Sequence, residues 1–199
     1  ERLYAGRTDI IVGGDFFWYP VQGQPATVVA ADAMVIVQVP HPLDIFTIGS
    51  YRQWEHGGHP ALAVEVLSPS NSWAEMARKR RFYDQHGVDE YWVFDPQDGT
   101  LEVWVRSATR LTEAVDPARG WVSPTTGVHV RVDGTELVVH DPDGIRRWLA
   151  PAQEAARADS EAARADSEAA RAEAASARAA ALEAQLIELR SQLGTDPAS

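Results

Sequence analysis

Two stretches of the chain are apolar on both alternating faces, Val28–Val37 and Ala61–Leu67. Strands of that kind belong in the middle of a sheet covered on both sides. The pattern predicts a long extended segment over Val28–Val39 and a buried strand over Ala61–Leu67. Thr8–Val12 and Asp15–Tyr19 flank Gly13-Gly14, the pattern of a hairpin. Tyr91–Phe94 and Leu101–Val105 flank the turn-rich Asp95–Gly99, and Val128–Val132 and Glu136–Val139 flank Asp133-Gly134. Trp73–His86 has helical spacing and stops at Gly87. Together these elements predict an α/β fold, a mixed and mostly antiparallel sheet with one packed helix.

The pattern changes near Ala150. All seven tryptophans lie before it, with every tyrosine and phenylalanine, so residues 1–150 are expected to hold the whole core. Residues 151–199 are rich in Ala, Glu and Arg and open with a seven-residue repeat, EAARADS, EAARADS, EAARAEA, from Glu154 to Ala174. Strong helix formers at that period predict a long helix with a coiled-coil seam. Ala155, Ala158, Ala162, Ala165, Ala169 and Ala172 form its first half. A three-residue stammer through Ala175 leads to Leu182, Leu186, Leu189 and Leu193. Alanine buries little area, so the leucines are expected to lead self-association into a homo-oligomer, a dimer or larger.

Composition narrows the functional classes. The 199 residues contain no cysteine, which excludes disulfides, thiolate metal sites and a cysteine nucleophile. No apolar run approaches the roughly 20 residues of a membrane helix, and no signal-peptide pattern opens the chain, so a cytoplasmic protein with no membrane contact is expected. The net charge of −11 argues against coating nucleic acid by bulk charge, but leaves room for a local site. The chain begins at Glu1, close before a strand-like segment, and a further N-terminal element is expected.

Three charges stand where the pattern calls for apolar residues. Asp32 interrupts Val28–Val37, and Glu65 interrupts Ala61–Leu67. A buried carboxylate costs several kcal/mol unless it protonates or finds a cation. One such group is commonly a buried ion pair; two on neighbouring strands point to a metal site. The third charge is Lys79, the only lysine among 18 basic residues. Helical spacing aims it at the sheet between Met76, Phe82 and Tyr83, with Arg78, Arg80 and Arg81 directed sideways or outward. A compact ammonium suits that place where a guanidinium fork does not. Two carboxylates holding Mg²⁺ or Mn²⁺, with a lysine to orient water or stabilise developing charge, make the equipment of a phosphodiester hydrolase.

These residues and their surroundings resemble a known group. ALAVEVLSPSNSWAEMARKRRFYDQHGVDEYWVFDP (Ala61–Pro96) is similar to the signature of the Uma-two family of bacterial restriction-endonuclease-like proteins. The family is also called domain of unknown function 820, a branch of the PD-(D/E)XK nuclease superfamily. GGDFFWYP, VVAADAMVIV and GWVSPTTGVHVRVDGTELVVHDPDG extend the similarity over most of residues 8–150. The resemblance implies the restriction-endonuclease-like fold and a metal-dependent endonuclease acting on DNA. It implies Asp32 and Glu65 as the motif acids, with the carbonyl of Leu67 as a further metal ligand. Lys79 takes the part of a lysine that more often sits two residues after the acid, where this chain has Leu67. Ala31 stands where proline usually precedes the aspartate. Glu75 stands where relatives often have aspartate, in position to pair with Lys79 at i,i+4.

The rival reading is a nucleic-acid-binding or oligomeric regulatory protein whose site has degenerated. The intact Asp32, Glu65 and Lys79 argue against it; the acidic charge argues for it. A small basic patch of Arg78, Arg80 and Arg81, with Arg52 in addition, is the expected nucleic-acid contact. His56 and His59, in a glycine-rich loop with no third ligand at a useful spacing, make a poor zinc site. Phe16-Phe17-Trp18-Tyr19 reads as core and hairpin packing ahead of base stacking.

Overall fold

A computed structural model describes residues 2–4, 6–69, 71–149 and 151–193, with residues 2, 46, 151, 152 and 190–193 described by backbone alone. The chain divides into two units, Glu1–Trp148 and Leu149–Ser199. In the first, β1 (Ile11–Gly13), β2 (Phe17–Tyr19), β3 (Val29–Ala30) and β4 (Ala33–Val37) precede α1 (Ile45–Ile48), β5 (Ser50–Arg52) and α2 (Gln53–His56). Next come β6 (His59–Val66), α3 (Trp73–Gln85), β7 (Glu90–Asp95), β8 (Thr100–Ser107) and β9 (Arg110–Glu113). The last three strands are β10 (Trp121–Val122), β11 (His129–Asp133) and β12 (Glu136–His140).

The main sheet has the order β1-β4-β6-β7-β8-β9. Only its β6–β7 pair is parallel, so it is mixed and mostly antiparallel. β6 lies inside it because its apolar residues feed two clusters. Ala63 joins Met76, Tyr83, Tyr91 and Trp104 on one face, and Leu62 joins Trp92, Phe94, Val103 and Val130 on the other. The alanines of β6 leave room for α3 to approach. Ser72 caps that helix, its hydroxyl accepting the Glu75 N–H at 3.2 Å. At the other end Arg106 donates to the carbonyls of Tyr83, Asp84 and Val88, and Gly87 turns the chain at φ +86°.

Two expectations fail at the N-terminal strands. Gly13-Gly14 does not make a hairpin, because β1 pairs with β4 while β2 enters a separate sheet of order β3-β2-β5. Gly14 is needed for a close approach, since a Cβ there would lie 2.0 Å from the Asp32 carbonyl oxygen. The long extended segment is likewise two strands. It breaks at Ala31-Asp32, where the chain leaves its partner β2 and takes β1 and β6 as new partners.

In the second unit α4 (Pro151–Leu193) is one helix of 43 residues, about 64 Å long. Leu182, Leu186 and Leu189 are exposed along it; the side chain of Leu193 lies outside the described residues. The Arg157 guanidinium pairs with Glu161 one turn on. Among the described residues no helix is long and apolar enough to cross a membrane.

Candidate active site

Glu65 projects from β6 toward α3 and is 1% exposed. The inward face of α3 carries Met76, Lys79 and Tyr83, spaced by three and four, so two polar groups descend on one carboxyl. The Lys79 ammonium donates to Glu65 Oε2 at 2.7 Å and to the Ala30 carbonyl at 3.1 Å. The Tyr83 hydroxyl donates to Glu65 Oε1 at 2.6 Å. Burial pushes the Glu65 carboxyl above the ordinary range against the pull of these two bonds, and the nearby Asp32 charge adds to the rise. Burial and the Glu65 charge push the Tyr83 phenol well above its ordinary value, so it remains a donor.

Asp32 is brought to the same place by a different route. Ala33 opposes Val64 across the β4–β6 ladder, which sets Asp32 beside Glu65 at the sheet's end. Its Oδ2 accepts the Val66 N–H at 2.6 Å. The expectation of a carboxylate buried in a two-sided apolar strand is corrected: Asp32 stands at the bend between β3 and β4 and is exposed. Of these two acids, only Glu65 bears the cost of burial. The expected Glu75–Lys79 pair is also absent, because Lys79 turns inward to Glu65 and Glu75 accepts from Asn71 at 3.4 Å.

The Leu67 N–H continues the parallel ladder by donating to Phe94 O at 2.8 Å. That ladder would bring the N–H of residue 96 to the Leu67 carbonyl, but Pro96 has none. The sheet therefore supplies no donor to this oxygen. Two carboxylates and a carbonyl form an all-oxygen donor set, which suits a hard cation that keeps several waters. It does not suit zinc, and no three His, Cys, Asp or Glu converge among the described residues. His59 pairs with Asp89 at 2.6 Å, and His56 stacks on Tyr51 while its Nδ1 accepts the Arg52 N–H.

The expected basic patch is divided. Arg78 lines an open cleft of about 310 Å³ with Lys79, Glu75, Ala30 and Phe82. Arg80 and Arg81 line another, of about 430 Å³, on the side of β9. Arg52 pairs with Glu55 at 2.9 Å and joins neither. Phe16 and Trp18 are core residues, whereas Phe17 is half exposed. Tyr83 is the site residue that motif reading left unassigned. Its signal was its place four residues after Lys79 on the same helical face.

Residues 7–133, more than half of the chain, match the Uma2 family model, described as "Putative restriction endonuclease". Among solved structures the chain is similar to the crystal structure of "a putative nuclease belonging to DUF820" from Anabaena variabilis. The identity is 15% and the TM-score 0.46, over 63% of this chain and 65% of that one, so less than two thirds of that structure is spanned. No curated protein matches.

Proposed function

The chain belongs to the Uma2 family, and on that premise we propose that it is a Mg²⁺- or Mn²⁺-dependent endonuclease that hydrolyses DNA phosphodiester bonds. The carrying observation is the convergence of Lys79 and Tyr83 on a buried Glu65, beside the exposed carboxylate of Asp32. Asp32, Glu65 and the Leu67 carbonyl are the groups that would hold the cation. Such an ion would supply a Lewis acid for the phosphate and a more acidic water as nucleophile. Tyr83 holds the Glu65 carboxylate in one orientation. Lys79 spends two of its three N–H donors on Glu65 and Ala30. The third is left for the attacking water or for negative charge growing on the phosphate. Asp32, anchored by a backbone N–H, stands open to solvent, where a polyanionic substrate and its counterion would arrive.

The test incubates the full chain with single- and double-stranded DNA in Mg²⁺, in Mn²⁺ and in chelator. Cleavage that needs the metal and disappears in Glu65→Gln is expected. An intact substrate under every condition, with no metal heat by calorimetry at millimolar Mg²⁺, overturns the reading. One observation favours a regulatory protein with a degenerate site: both Glu65 oxygens already accept bonds from the protein. That alternative predicts nucleic-acid binding without metal binding, so calorimetry separates the two. Self-association through the leucines of α4 completes the proposal.

A further inference from the structure

The pairing of the arginines singles out one surface. Among the described side chains of the first unit, Arg7, Arg52, Arg106, Arg119, Arg131 and Arg147 each pair with a carboxylate. Arg78, Arg80, Arg81 and Arg110 pair with none, although the whole chain carries a net charge of −11. Three of the four are on α3, whose outward stripe of Ala74, Arg78, Arg81 and Gln85 contains no acid. Arg110 reaches the same region from β9, lining the cleft shared by Arg80 and Arg81.

The floor of that cleft is Trp104. The Arg80 guanidinium lies 4.9 Å from its ring centroid, and the indole N–H has no acceptor among the described residues. Three acids are near. Asp84 is occupied, accepting the Leu111 N–H at 2.7 Å and a bond from Arg106. Glu113 lines the cleft, and Glu102 lies close enough for Glu113 and Arg80 to act on its carboxyl in opposite directions. Three guanidinium groups against two uncommitted acids leave the cleft positive.

Resting on the nuclease reading, we propose that the outward face of α3, with Arg110, holds nucleic-acid phosphates flanking the bond to be cut. The same helix would then present Lys79 inward to the chemistry and Arg78 and Arg81 outward to the backbone. Guanidinium groups suit this task because each can grip two phosphate oxygens at once. Phosphate contacts of this kind fix register and carry no sequence information.

The test measures binding of a labelled DNA duplex, and of an RNA duplex of the same sequence, to the full chain in chelator across a salt series. Arg81→Gln with Arg110→Gln removes two exposed guanidinium groups that no carboxylate holds, so folding is preserved. The slope of log affinity against log salt should fall by about 1.8, from two lost phosphate contacts. Between 50 and 200 mM salt the wild type should then lose about 12-fold more affinity than the double variant. Arg119→Gln, at a site already paired with Asp116, should leave the slope unchanged. A double variant with the wild-type slope on both duplexes overturns the inference, as does a wild type that binds neither at 50 mM salt. The nuclease reading is judged separately, by cleavage with the wild type in Mg²⁺. A changed slope without any cleavage keeps the surface and removes the enzyme; cleavage with an unchanged slope does the reverse.

Discussion

Each face of the main sheet buries a glutamate, and the two are held in opposite ways. Glu65, on the face under α3, takes one bond from an ammonium and one from a phenol, beside the exposed acid Asp32. Glu90, on β7, points to the other face and is 0% exposed. Its Oε1 accepts both the Trp92 and Trp121 indole N–H groups at 2.7 Å, and its Oε2 accepts the Ser123 hydroxyl at 2.6 Å. Trp121 belongs to β10 and Ser123 follows it, so this carboxyl ties the small sheet to the large one. Burial of an acid is thus no mark of chemistry by itself. The identity of the donors and the access to solvent separate the proposed site from a structural clamp.

The sharpest way to break that comparison is to remove Glu90. Glu90→Ala strands two indole N–H groups and a hydroxyl in an apolar layer, and should cost about 3–5 kcal/mol of stability in urea unfolding. A loss under about 1 kcal/mol would deny it the role of clamp. Glu65→Gln should do the converse, lowering metal-dependent cleavage about a thousandfold while changing stability little, because Lys79 is partly exposed and can turn to water. A variant that unfolds like Glu90→Ala would make the two acids alike.

Smaller effects sharpen the contrast. Lys79→Met should slow cleavage about a hundredfold and leave Mg²⁺ calorimetry nearly unchanged, since in the proposed mechanism the ammonium acts on water and phosphate and not on the ion. Cleavage by Lys79→Met at the wild-type rate would reduce the lysine to a structural counterion. Tyr83→Phe removes one bond to Glu65 and should weaken Mg²⁺ binding about tenfold, with near-normal folding. The pH dependence follows from the raised Glu65 carboxyl. Folding tightens its hold on the proton, so stability of the metal-free protein should fall as pH rises from the ordinary carboxylate range through that raised value. Mg²⁺ should bind more tightly over the same rise, because it displaces the proton. A flat calorimetric profile there would place the proton elsewhere. The least effect on stability is expected in the tail. Cutting after residue 150 should lower the oligomeric order seen by light scattering and leave unfolding of the first unit within about 1 kcal/mol.

Local pattern alone made much of this molecule legible. The apolar run of Ala61–Leu67 placed β6 inside the sheet, and helical spacing aimed Lys79 at it while turning Arg78 and Arg81 outward. The turn residues after β7 and β11 marked two hairpins, and the seven-residue repeat marked one long helix. Periodicity can do this because it reports which face of an element a residue occupies. It does not report which strand lies next to that face. Only the tertiary structure split Val28–Val39 between two sheets, and so moved Asp32 from an expected interior to an exposed bend. Only long-range pairing chose Glu65 over Glu75 for Lys79, recruited Tyr83, and enclosed Glu90 among partners as many as 33 residues away. Those choices rest on contacts between elements distant in sequence, whose geometry no local repeat encodes.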